Sequence, residues 1–242
     1  MIILLTGCIN PNGMAFTALS NKKERQKQYI KAIEFYLRET NYPIIFVENS
    51  GTDISSLFLE HIESGRFECI TFIGNHDKKR GKGYGECEIL NYALSHSKMI
   101  ENMHNCYIAK ITGRLIIRNI DKILCFHRLL FPKRTVFFTI NTDFTFSDSR
   151  LIIAPIDFYH VFLRQKDEID DNSGYFFEHA LLDTIKNEEQ YKYSPFFLIP
   201  IIEGSSGSTG YIYEIPTHTL RFKIKYFRLA LTQWYRFKKL YH

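Results

Sequence analysis

GKGYGECEILNYALSHS, residues 81–97, read together with YIAKITGR at 107–114, decides how the rest of the chain is organised. Gly81, Gly83 and Gly85 stand two apart and predict no regular element before Glu86, after which Ile89, Leu90, Ala93, Leu94 and Ile100 recur at helical spacing. A glycine-rich turn therefore opens a helix, and the helix leads into an apolar strand. The start of such a helix offers unpaired backbone N–H groups and a partial positive charge, and Lys82 adds a full one, so the place suits an anion such as a diphosphate. The same residues also suit a plain flexible turn with a helix cap, because they match neither GxGxxG nor GxxxxGK[ST].

Upstream, IILLTG (2–7) is a buried-strand candidate, INPNGMAF (9–16) a loop, and Lys22–Glu39 a long amphipathic helix with Tyr29, Ile30, Ile33, Tyr36 and Leu37 on one face. Pro43 precedes a second strand, IIFVENSG (44–51); a helix through Leu57, Leu59 and Ile62 and a third strand, CITFIG (69–74), follow. Downstream come the strand YIAKI, a helix over 121–130 and a strand TVFFTI (135–140). Continuous apolar strands alternating with helices predict an α/β fold, a mainly parallel sheet with helices on both faces. Past residue 140 the rhythm breaks. Strands at 150–154 and 197–202, separated by helices near 156–164 and 175–187, predict a mixed region built onto the sheet, and EGSSGSTG (203–210) reads as a mobile loop.

A chain of 242 residues, 45% hydrophobic and 15% aromatic, can bury a full core, and it divides into one large domain (1–216) and an appendage (217–242). No apolar run reaches the roughly 18 residues of a membrane-spanning helix, and MIILLTGCINPNG has neither the basic start nor the cleavage site of a signal peptide. The expectation is a cytoplasmic protein. Cys8, Cys69, Cys87, Cys106 and Cys125 form no CxxC, and the histidines form no HExxH, which fits reduced thiols rather than disulfides or a zinc cluster.

In sheets of this type ligands bind beyond the carboxyl ends of the strands. That rule collects Thr6 and Gly7, then Glu48, Asn49 and Ser50, then Gly74 and Asn75, then Thr112, Gly113 and Arg114. An acidic or amide residue after the second strand can hydrogen-bond a nucleobase or ribose, while Lys82, Lys110 and Arg114 can neutralise phosphates. ENSG also has the composition of a simple strand end with a helix cap.

TGCINPNGMAF, the charged helix with Arg25 and Tyr29, IIFVENSG, KGYGECEILNYAL, KITGR and SGSTG, taken in order, resemble bacterial glycosyltransferases of capsule and O-antigen polysaccharide assembly, which adopt a GT-A-like nucleotide-sugar fold. The resemblance spans most of residues 1–210 and rests on several short motifs. It implies transfer of a sugar from a nucleotide-sugar donor to a glycan, usually on a lipid carrier, with the nucleotide held at the first two strand ends. It also implies that Gly81, Lys82, Gly83 and Glu86 lie beside the diphosphate. The chain departs from that pattern in one respect: where such enzymes commonly carry Asp-x-Asp for a divalent metal, it has KITGR. No cofactor is therefore expected, a divalent metal staying open as the alternative, and Lys110 and Arg114 are the candidates to supply the positive charge a metal would bring.

Transfer with inversion needs a base for the attacking hydroxyl, normally a carboxylate. Glu178, beside His179 in an aromatic setting that can raise its pKa, and Asp148 are the candidates, each with a structural alternative as a helix cap or ion-pair partner such as Asp148 with Arg150. Asp170 and Asp171 are weaker candidates because DEIDDNSG reads as a solvated loop. Two other classes stay open: a nucleotidyltransferase acting on sugar phosphates, and a non-catalytic subunit docking on a membrane or on RNA.

From Arg221 onward there are seven Lys/Arg and no acidic residue. Read as a helix, 217–242 gathers Leu220, Ile224, Phe227, Leu231 and Trp234 on one face with Arg221, Lys225, Arg228, Arg236 and Lys239 around it, the pattern of a helix in a membrane interface. The expectation is peripheral attachment at the inner face of the cell membrane, ahead of packing on the protein's own core and of nucleic-acid binding.

Overall fold

Strands that are apolar along their whole length need helices above and below them. The protein, a computed structural model describing residues 1–13, 18–103, 106–130, 133–207, 209–213 and 219–241, meets that need with two helical layers around one sheet. In chain order, β1 (Ile2–Gly7), α1 (Lys22–Glu39), β2 (Ile44–Glu48), α2 (Leu59–Glu63), β3 (Phe67–Thr71), α3 (Lys82–His96), α4 (Lys98–Glu101) and β4 (Tyr107–Thr112) alternate. They are followed by β5 (Ile116–Ile117), α5 (Ile120–Leu130), β6 (Thr135–Ile140), β7 (Ser147–Pro155), α6 (Ile156–Phe162) and α7 (Phe177–Asn187). The chain closes with β8 (Lys192–Ser194), β9 (Ile202–Ser205), β10 (Ile212–Tyr213) and α8 (Leu220–Tyr241).

The seven-stranded sheet runs β3-β2-β1-β4-β7-β6-β8. β3, β2, β1 and β4 pair in parallel, β7 is inserted antiparallel between β4 and β6, and β8 lies parallel to β6. Side-chain alternation sorts the core: Ile2, Leu4, Ile45, Val47 and Ile108 face α3, α6 and α7, while Ile3, Leu5, Ile44, Phe46 and Ile111 face α1 and α5. A smaller antiparallel sheet, β10-β9-β5, brings Ser205 and Tyr213 to the same end of the molecule as the carboxyl ends of β1 and β4.

Several boundaries differ from the sequence expectation. α3 begins at Lys82 rather than at Glu86, with Gly83 and Gly85 inside its first turn. The second strand stops at Glu48, the third spans 67–71, the strand expected at 150–154 extends over 147–155, and the one expected at 197–202 lies at 202–205. Part of the expected loop at 9–16, Ser208 of SGSTG, and the domain boundary at 216/217 lie outside the described residues.

α8 meets the core along an edge of the apolar face read from sequence, with the Phe227 and Trp234 rings 5.3 and 6.3 Å from Phe197. Ala230 and Phe237 are its buried residues, and the Phe237 ring sits 4.5 Å from Tyr193 and 5.6 Å from Phe144. The Gln233 amide donates to the carbonyls of Ile140 and Asn141, tying the helix to the end of β6. No described helix is long and apolar enough to cross a membrane.

Candidate functional site

The carboxyl ends of β1, β2 and β4, the start of β7 and the first turn of α7 converge on a cleft of about 850 Å³. Of the residues expected to form a site, Thr6, Gly7, Asn49, Lys82, Gly83, Glu86, Thr112, Arg114, Asp148 and Glu178 line it, whereas Glu48, Ser50, Gly81, Lys110 and Gly113 do not.

The second group acts behind the wall. Glu48 is fully buried, and its carboxylate accepts from the backbone N–H of Ile9 at 2.7 Å, from those of Ser50 and Thr52 at 2.9 Å, and from the Ser50 hydroxyl. Its lone pairs are spent holding the turn after β1 against the turn after β2, so the nucleobase or ribose role expected for Glu48 and Ser50 becomes a scaffold role. Lys110 has no exposed side chain; its ammonium pairs with Glu86 and donates to the Ser149 carbonyl at 2.7 Å. This charge is neutralised inside the fold, which corrects the expectation that Lys110 meets phosphate. Gly113 contributes its N–H to the Thr6 carbonyl at 2.9 Å.

The start of α3 departs furthest from expectation. The backbone N–H groups of Lys82 and Gly83 lie 2.7 and 3.2 Å from one oxygen of Asp171, so the helix N-terminus is capped by a carboxylate of the chain itself. Gly81 sits at φ 89°, a conformation that favours glycine, and a Cβ on Gly83 would come within 2.8 Å of Asp171 Oδ1 and 3.1 Å of the Phe177 backbone nitrogen. Arg80 secures the capping loop by donating to the Ile169 carbonyl at 2.9 Å and to that of Lys166 at 3.3 Å. DEIDDNSG is thus no solvated loop at Asp171, which is buried. Burial raises the Asp171 pKa, and the N–H groups of Gly83 and Lys82 pull it back. Burial also lowers the Lys82 ammonium, against the nearby Asp171, Glu178 and Glu86.

Two polar atoms on the cleft wall lack a partner among the described residues. Arg114 is 7% exposed; one terminal nitrogen donates to the Ser205 carbonyl at 3.0 Å and to Gln28 Oε1 at 3.3 Å, but Nε has no acceptor. Asn49 is 1% exposed; its nitrogen donates to Asn75 Oδ1 at 2.9 Å and to the Gly85 carbonyl at 3.4 Å, which leaves Oδ1 unpaired. A buried polar atom without a partner costs stability, and a ligand that supplies the partner recovers it.

The two candidate bases are treated differently by their surroundings. Asp148 is gripped by Arg150, whose Nε lies 2.9 and 3.0 Å from its two oxygens, so the ion-pair alternative describes its geometry. Glu178 opens α7 and accepts from the Ser149 hydroxyl at 2.6 Å. Burial raises its pKa; the Ser149 bond and Lys110 oppose the rise, and Glu86 adds to it. Thr6 Oγ1 donates to Glu86 at 3.1 Å, so Thr6, Glu86, Lys110, Ser149 and Glu178 form one connected polar floor.

Sequence reasoning missed Ser149 and undervalued Arg25 and Asp171. Arg25 falls in step with Tyr29, Ile33 and Tyr36 on the apolar face of α1, a signal that the arginine is buried; its Nε donates to the Cys8 carbonyl at 2.7 Å and shapes the turn after β1. Nothing in the local sequence marks Ser149.

A divalent metal, the ion the GT-A resemblance would bring, does not fit the residues at the end of β4. Thr112, Gly113 and Arg114 offer no carboxylate there, while the carboxylates of Glu86, Asp148 and Asp171 are each engaged by a cation or by backbone N–H groups. Among the described residues no group of three or more His, Cys, Asp or Glu is placed to hold a metal.

The architecture that carries this cleft is a mainly parallel α/β sheet with helices on both faces. The chain is similar to a cytidylyltransferase from Leptospira borgpetersenii serovar Hardjo-bovis, at 12% identity over 81% of this chain and 75% of the other, with a TM-score of 0.43. It is likewise similar to the mannosyltransferase Ktr4p from S. cerevisiae, at 9% identity over 90% and 74%, TM-score 0.44. A third likeness is to mouse xyloside xylosyltransferase 1, at 9% identity over 80% and 83%, TM-score 0.39. No family model and no curated protein matches the sequence.

Proposed function

We propose that the protein is a glycosyltransferase that moves a sugar from a nucleotide-sugar donor to a hydroxyl of a glycan acceptor, in the assembly of a surface polysaccharide such as capsule or O-antigen. The observation that carries the donor half is the pair of buried, unpartnered atoms on one wall. Asn49 Oδ1 is an acceptor and Arg114 Nε a cationic donor, so a ligand that carries both an N–H or O–H donor and an anionic acceptor suits the pair. A nucleoside joined to a diphosphate has both.

Glu178 supports the acceptor half. In the transfer, the acceptor oxygen bonds to the anomeric carbon as the bond from that carbon to the diphosphate oxygen breaks. The hydroxyl proton passes to the Glu178 carboxylate, and the departing electron pair stays on the diphosphate, facing Arg114 and Lys82. A carboxylate whose pKa is raised by burial is a stronger base than an exposed one. A nucleotidyltransferase attacks with a phosphate oxygen that is already deprotonated and needs no such base, so Glu178 favours the hydroxyl acceptor. The motifs quoted from residues 1–210 support surface polysaccharide as the product class.

The test is calorimetry of nucleoside diphosphates and nucleotide sugars against wild type and Arg114→Ala. Loss of a charge-assisted bond of about 1.5–3 kcal/mol should weaken binding by roughly 10- to 150-fold. Failure of every nucleotide to bind, or unchanged affinity in the variant, would overturn the donor assignment.

A further inference from the structure

α8 leaves an unusual amount of apolar surface in the open. Ala230 and Phe237 are buried against the core and Phe227 and Trp234 lie against Phe197, yet Leu220 is 74% exposed, Ile224 49%, Leu229 54% and Leu231 45%. At helical spacing the exposed aliphatic residues form two flanks: Leu220, Ile224 and Leu231 on one side, Leu229 and Leu240 on the other. Between them, opposite the core face, run Arg221, Lys225, Arg228 and Lys239, while Arg236 turns back over the Phe144 ring; the helix has no acidic residue. A basic stripe bordered by exposed aliphatic side chains needs a partner that is anionic in one layer and hydrocarbon in the next. Nucleic acid meets the first need but not the second, because bases stack on planar groups and leave leucine and isoleucine in water.

We propose that α8 docks on an anionic lipid bilayer and seats the rim of the cleft at the membrane surface. The basic stripe faces lipid phosphates, and the aliphatic flanks enter the boundary between headgroups and acyl chains. The helix is well placed to do so, since Gln233 donates to the carbonyls of Ile140 and Asn141, and both of those residues line the cleft. A docked α8 therefore holds that side of the cleft about one helix diameter, roughly 10 Å, from the bilayer, within reach of an acceptor carried on lipid. The docking stands on α8 alone; only the identity of the acceptor rests on the transferase reading.

The experiment is co-sedimentation of the full chain with vesicles of phosphatidylglycerol and phosphatidylcholine, compared with pure phosphatidylcholine. Docking predicts binding to the anionic vesicles, weakened by salt and about fivefold weaker for each basic residue removed in the series Arg221→Gln, Lys225→Gln and Arg228→Gln. The double variant Ile224→Glu/Leu231→Glu alters exposed positions, so it should keep its melting temperature and its nucleotide affinity while losing vesicle binding at least tenfold. Equal vesicle binding by wild type and the double variant would overturn the proposal, as would a wild type that binds single-stranded RNA but no vesicle. Nucleotide calorimetry on the same samples reports on the transferase reading separately, so either idea can fail while the other stands.

Discussion

Glu178 and Asp148 were equivalent as letters, and their neighbours separate them. Arg150 clamps Asp148 through both oxygens, whereas Glu178 is half-buried, meets no arginine among the described residues and accepts from the Ser149 hydroxyl. Glu178→Gln should cut turnover by about 10²–10⁴ with nucleotide affinity unchanged, and Asp148→Asn should cost much less. Near-normal turnover in Glu178→Gln would remove it as the base. Its titration gives a second check. Because burial raises its pKa in the folded state, the folded chain holds the proton to a higher pH than the unfolded chain does. The stability from that proton is complete below the ordinary glutamate value of 4.5 and is lost as pH rises through the raised value. The melting temperature of Glu178→Gln minus that of wild type should therefore climb above about pH 4.5 and then level off; a flat difference would mean no shift. Lys110 shows how much of this was legible. Its position at a strand end pointed to phosphate, and its partner in the fold, Glu86, depends on how α3 lies against β4, which no local pattern records.

The alternation of apolar strands and helices up to residue 140 was readable because β1, β2, β4 and β6 are buried on both faces and α1 buries one apolar face. The start of α3 was not. Three glycines in five residues read locally as a helix-free turn, but Gly83 is small because the Asp171 loop and the Phe177 backbone press against it, a distant cause with no local mark. Gly83→Ala should destabilise the fold by about 1–3 kcal/mol through overpacking, measured by denaturant titration, although alanine is the better helix former. A neutral or stabilising result would show that the 171–177 segment yields at little cost. For α8, periodicity revealed a helix with an apolar stripe, yet choosing the face that meets the core required the positions of Phe144 and Tyr193. Phe237→Ala should cost about 3–5 kcal/mol if α8 is an integral part of the folded unit. A loss well under 1 kcal/mol would make it a loosely attached arm.

Across the whole molecule, the sheet departs from an all-parallel plan at one point, the insertion of β7 between β4 and β6. That insertion brings Ser147, Asp148, Ser149 and Arg150 to the strand ends of the first half. Because the carboxylates Glu86, Asp148 and Asp171 are engaged internally, turnover should persist in excess chelator, and Arg114→Ala should slow it far more than chelation does. Complete loss in chelator, restored by manganese or magnesium, would refute this. One consequence concerns how the molecule is made. The cleft takes its wall from Thr6 near one end of the chain, from Tyr213 near the other, and from strands and loops between them. Neither half of the chain holds the whole cleft, so affinity for the proposed nucleotide should gauge how far folding has gone. During refolding, binding should appear only with the slowest structural phase, and added nucleotide should raise the yield of finished molecules while leaving the early steps at their own pace.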